Sequence, residues 1–166
     1  MQKFNSLGAL AQHLLKQTAG SYKTKLCEAL TQIGQSVQQE AKSEVGTYQE
    51  GVGPYPATAP LAQATIEKKG TDTPLYETGA FQQDIKYKVD KSSLSVNIGT
   101  NKDYIVYTEL GTGKMPPRSI FGPSALRAVP KTLPLIGGYA VAGITGVDVK
   151  AYTKEFGEHT QLAPSE

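Results

Sequence analysis

From Ser21 to about Glu44, the residues Tyr22, Leu26, Ala29, Leu30, Ile33, Val37 and Ala41, then Val45, recur at the spacing of one helical face. Lys23, Gln32, Gln35, Gln39 and Lys42 fall on the other side. A helix this long with one apolar stripe draws its stability from packing more than from propensity. The rest of the chain must therefore supply an apolar surface for it to cover. Gly34, inside the stripe, costs about 1 kcal/mol relative to alanine and marks a close crossing. Upstream, Ser6 is placed to cap a shorter helix with Leu7, Leu10, Leu14 and Leu15 on one side. Gly20 ends that helix and Ser21 caps the long one.

The surface it covers is a hairpin. Ile85, Tyr87 and Val89 alternate with Lys86, Lys88 and Asp90, and Leu94, Val96 and Ile98 alternate with Ser95 and Asn97 across a turn at Lys91–Ser93. Two strands alone are marginal. A third is expected, from Met115–Phe121 or from Val147–Tyr152. The fold class is α+β: a long N-terminal helix packed on a small antiparallel sheet, with long loops and short helices. It forms a single domain over residues 1–152, followed by a flexible tail over 153–166. Residues 46–60, GTYQEGVGPYPATAP, form an extended loop carrying Tyr48 and Tyr55, and Pro60 starts a short helix over Leu61–Lys69. Ser124–Val129 is a helix that Pro130 and Pro134 kink or divide. The apolar tract from Leu133 to Ile144 is either buried within the chain or covered by a neighbouring subunit.

Asp103 to Leu126, DYIVYTELGTGKMPPRSIFGPSAL, has the most distinctive composition. Asp103 is placed to cap a helix over the aromatic run Tyr104, Ile105, Val106 and Tyr107. Glu109 follows, and is expected to pair with Arg118 or Lys114. Gly111 and Gly113 permit a sharp reversal, and Pro116 and Pro117 hold the next residues extended. Pro123 suits the first turn of a helix. Such a loop keeps one shape while touching something.

Other chemistry is excluded residue by residue. In LGTGKM the phosphate-loop pattern fails twice: Thr108 stands where the first glycine is needed, and Met115 where serine or threonine must follow the lysine. Pro116 occupies the third glycine position of a dinucleotide fingerprint. His13, His159 and Cys27 are too scattered for a metal site. One cysteine allows no intrachain disulfide and suits a reducing cytoplasm. The carboxylates Asp103, Glu109, Glu77 and Asp84 read as caps and loop partners rather than a catalytic pair. No catalytic, cofactor-binding or metal-binding residue is assigned. A net charge of +2 gives no basic stripe for nucleic acid. No apolar run reaches membrane-spanning length, and MQKFNSLGALAQHLL lacks the plan of a secretory signal.

Tyr104, Glu109, Gly111, Thr112, Met115, Pro116, Arg118, Phe121, Pro123, Ala125 and Leu126 together resemble a pattern in the neck and tail-completion proteins of long-tailed bacteriophages of the lambdoid and Mu-like type. Pro60-Leu61, Ala64-Thr65-Ile66, Lys69, Pro74-Leu75, Thr78-Gly79 and Asp84-Ile85 extend the resemblance over about Leu26–Val129. Here Ser119 and Ile120 precede Phe121, where the family has proline and phenylalanine directly after the arginine. The resemblance implies a non-enzymatic virion protein, assembled in the host cytoplasm, that forms a six-fold or twelve-fold ring. It would join a portal-side adaptor or head-closure protein to a tail terminator or tail tube, with DNA only as passing cargo and no membrane. A tail terminator is the alternative within that class, and a DNA-binding module using Lys86, Lys88 and Lys91 lies outside it. The expected interface residues are Tyr48, Tyr55, Tyr104, Tyr107, Glu109, Lys114, Met115, Pro116, Pro117, Arg118 and Phe121, because tyrosine and arginine anchors dominate such contacts.

Overall fold

The computed structural model describes residues 7–145, with side chains over 19–144. In order, the elements are α1 (Leu7–Glu44), α2 (Gln63–Lys69), α3 (Ala80–Asp84), β1 (Lys86–Asp90), β2 (Ser95–Gly99), α4 (Ile105–Leu110) and α5 (Phe121–Thr145). They divide into two compact units: Gln32–Lys131, and Met1–Thr31 together with Thr132–Glu166.

The first unit is built where the C-terminal part of α1 lies on the hairpin, the α+β arrangement the periodicities predict. β1 and β2 pair antiparallel, with Tyr87 opposite Ile98 and Val89 opposite Val96. Lys86 and Lys88 alternate outward, exposed. Gly34 meets this sheet so closely that an added Cβ would stand 2.5 Å from Tyr87 Cδ2 and 2.9 Å from Val96 Cγ2. The glycine is there because no side chain fits. Below it, Ala41, Val45, Phe81, Ile85 and Ile120 form a buried cluster, with Leu75, Ile98, Ile105 and Phe121 packed against it. Gln38 Nε2 donates to Ile85 O at 2.7 Å and Gln82 Nε2 to Lys42 O at 2.7 Å, fixing α1 to α3 and to the residue that follows it.

Several expectations are corrected. α1 runs through Gly20 without a break, so neither Gly20 as a stop nor Ser21 as a cap holds. One interior glycine costs only about 1 kcal/mol, and Thr24 Oγ1 donates to Gly20 O at 3.0 Å. Leu94 is not in a strand. It lies exposed in the turn with φ 50°, because Asp90 Oδ1 accepts from Ser92 N at 2.8 Å and Ser93 N at 3.4 Å and holds the reversal open over four residues. These bonds hold the Asp90 carboxyl well below the usual carboxylate range, the Ser92 hydroxyl contributing most. Met115–Phe121 adds no strand to the sheet, which has two strands among the described residues. Pro116 and Pro117 have no N–H to offer a ladder. The short helix begins at Gln63 rather than Leu61 and ends on Gly70, left-handed at φ 75°. α5 continues through Pro130 and Pro134. Each proline removes one helical hydrogen bond, but both are exposed, where water can serve the freed carbonyl. Ser6, His13, Val147–Tyr152, His159 and the tail 153–166 lie outside the residues or side chains described.

Within the second unit α1 and α5 approach closely: a Cβ on Gly143 would stand 2.7 Å from Tyr22 Cα. Tyr139 and Ala142 are buried there, while Leu133 and Ile144 are exposed. The expected apolar tract is thus one helix with a buried face and an exposed one. No helix of the described residues is long and apolar enough to cross a membrane.

Candidate assembly interface

The stretch from Asp103 folds back on itself. α4 begins after Tyr104 with no side-chain cap, so Asp103 does not cap it and stands exposed. Gly111 ends the helix at φ 73°, and a Cβ there would lie 2.8 Å from Pro117 N and 2.9 Å from Met115 O. Only glycine lets the two legs of the loop approach this closely. Thr112 and Met115 then exchange backbone hydrogen bonds at 2.8 and 3.2 Å. Arg118 N donates to Thr108 O at 2.7 Å and Ser119 Oγ to Glu109 O at 2.9 Å, closing the base of the loop.

Glu109 pairs with neither Arg118 nor Lys114. Its Oε1 accepts from Ile120 N at 2.8 Å and Phe121 N at 3.1 Å. Those are two of the amides that a helix leaves unsatisfied at its start, and Pro123 removes a third donor from the same turn of α5. The carboxylate also faces the positive end of the helix. The competition between a lysine and two fixed amides goes to the amides, which cost no side-chain entropy to hold in place.

Arg118 is 7% exposed. Its Nε donates to Ala59 O at 3.1 Å and its Nη2 to Pro60 O at 2.9 Å, so the guanidinium clasps the end of the 46–60 loop. No carboxylate pairs with it among the described residues. The loop is also held elsewhere. Gly46 N donates to Pro74 O at 2.8 Å and Thr58 N to Gln49 O at 2.9 Å. The Tyr48 hydroxyl donates to Asp72 and accepts from Leu61 N at 3.1 Å. The Asp72 carboxylate pushes that hydroxyl above its ordinary pKa. Tyr55 lays its ring against Gly122 so tightly that any side chain there would collide with it. Arg127 bonds the buried Glu44 carboxylate and Glu50 O. Burial raises the Glu44 pKa, opposed by Arg127.

No family model, curated protein or solved structure matches this chain. Its site must be read from its own residues.

The expected interface residues separate into two groups. Tyr55, Glu109, Arg118 and Phe121 are framework: they hold the loop, cap α5 or pack against the core. Tyr48 is partly exposed but tied at its hydroxyl. Tyr104, Tyr107, Lys114, Pro116 and Pro117 face outward, with Met115 half-buried beside them. Tyr104 rests on Phe81, ring centroids 6.2 Å apart and tilted by 57°. Two residues belong with the outward group and were not expected: Val106, 55% exposed, and Leu110, 77% exposed. With Tyr107 at 61% they form an apolar stripe on one face of α4, with the exposed Asp103 in the turn just before the helix. The spacing 103, 106, 107, 110 is the helical signal that identifies it, while Ile105 and Thr108 turn inward.

Two grooves flank α2. One, about 490 Å³, is lined by Lys68, Glu77, Phe81, Tyr104 and Thr108 among others. The other, about 610 Å³, lies between α2 and the Thr112–Met115 reversal and includes Lys69, Lys114 and Arg118 over Leu61, Leu75 and Met115. Of the carboxylates weighed for catalysis, Asp84 accepts from Thr100 Oγ1 at 2.6 Å and Asn101 N at 2.8 Å. These bonds lower its pKa and tie it to the hairpin exit.

Proposed function

We propose that the chain is a structural, non-catalytic subunit of a phage head–tail connector, the neck. It forms a ring that joins the portal-side complex to the tail and leaves a channel for DNA. The observation that carries the reading is the apolar face of Val106, Tyr107 and Leu110, fixed on a hydrogen-bonded frame rather than on a mobile loop. Large apolar side chains held outward in one geometry suit a protein surface that covers them. The head–tail setting comes from the resemblance over Leu26–Val129. Ring closure calls for a heterologous contact, with different faces meeting around a six-fold or twelve-fold axis. A tail terminator would use the same face against a different neighbour.

The test is binding of purified protein to heads and to tails isolated from a phage defective in this chain. Binding to either, with recovery of complete particles, supports the reading; binding to neither overturns it. A DNA-binding module is the second reading, favoured by the exposed Lys86 and Lys88 on the outer face of β1. It predicts duplex binding that falls steeply with salt, whereas the connector reading predicts no retention at moderate salt.

A further inference from the structure

The two outward surfaces of the Gln32–Lys131 unit are complementary in both charge and apolarity. In the turn before α4, Asp103 stands exposed, three residues ahead of the stripe of Val106, Tyr107 and Leu110, and no described residue forms an ion pair with it. The 610 Å³ groove beside α2 is lined by three cations and by no carboxylate, over an apolar floor. One cation, Arg118, is buried with its charge uncompensated, bound only to carbonyls. Lys114 is exposed. Leu75, on the floor, is held at φ 59°, a left-handed conformation that a branched side chain adopts only under constraint.

We propose that the α4 face of one copy docks into this groove of a second copy, with Asp103 set against Lys114 and Leu110 over Leu75 and Met115. The inference rests on the ring reading and names the two faces of its heterologous contact. An apolar stripe alone would accept many partners. The groove selects one that carries a carboxylate at the edge of the stripe, and this chain carries it at Asp103. Like charges placed across such a contact oppose it, so reversing either partner should break it. In a head-to-tail contact each copy gives its α4 face to one neighbour and its groove to the other, so association continues past a dimer, whereas a reciprocal exchange of both faces would close at two.

The test is charge exchange, read by sedimentation velocity of the full chain up to millimolar concentration. Wild type should associate beyond the dimer. Lys114→Glu and Asp103→Lys should each weaken association about tenfold or more, and Leu110→Ser should do the same. The double variant Asp103→Lys with Lys114→Glu restores opposite charge at every contact and should recover association. All three positions are exposed, so thermal melts of the four variants should match wild type and confirm the fold. A wild type that stays monomeric, an association that stops at a dimer, or a double variant no better than the single ones would overturn the proposal. Heads and tails that still bind the single variants normally would reject this contact but leave the connector reading intact. Charge-exchange rescue without binding to heads or tails would do the reverse.

Discussion

Removing the carboxylate of Glu109 separates the capping account from the ion-pair expectation. In Glu109→Ala, Ile120 N and Phe121 N lose an acceptor at 2.8 and 3.1 Å. Loss of a helix cap costs about 1 kcal/mol, within a range of about 0.5–2. The favourable charge at the helix start adds about 0.3–1 kcal/mol. Both amides are only part-buried, so water recovers some of the remainder. The sum is about 2 kcal/mol. Glu109→Gln keeps a carbonyl oxygen in place and loses only the charge, so it should cost less than about 1 kcal/mol. Lys114→Ala should fall within about 0.5 kcal/mol of wild type, as an exposed residue without a partner does. Urea denaturation of the three variants, with the slope held constant, measures each difference. Glu109→Gln as damaging as Glu109→Ala, or Lys114→Ala equal to either, would refute the assignment.

Gly34→Ala should destabilise by about 1 kcal/mol: the gain in helix propensity is about 1 kcal/mol, but overpacking against Tyr87 and Val96 costs about 1–3. Denaturation checks it, and a more stable variant would contradict the crossing. Asp84 has a folded-state pKa below its ordinary 3.8. Its stabilisation is therefore complete above that value and lost as pH falls through the lowered one. Asp84→Asn should flatten the acid limb of the melting-temperature profile; parallel profiles would count against the Thr100 and Asn101 bonds.

What was legible in the sequence was local. The stripe on α1 and the alternation in the hairpin, Leu94 excepted, are set by residues close together in the chain, and Gly34 marks a crossing there although the Tyr87 and Val96 it meets lie far along the sequence. Local rules fail where a tertiary contact overrides them. Gly20, Pro130 and Pro134 carry helix penalties of about 1 to 3 kcal/mol, yet helices run through all three. Arg118 and Glu109 looked like natural partners across the loop. Arg118 instead bonds Ala59 and Pro60, more than fifty residues away, and no spacing rule points there. The stripe on α4 was missed for another reason: Val106 and Leu110 stand out only when the aromatic run is read at helical period, with Thr108 turned inward.

The account stands on the outward face of α4 being covered by protein. Hydroxyl-radical footprinting of Tyr104, Val106, Tyr107 and Leu110 compares that face in the free chain and in assembled particles. Strong labelling in the free chain and marked protection in the particle is the predicted result. Equal labelling in both states would contradict it.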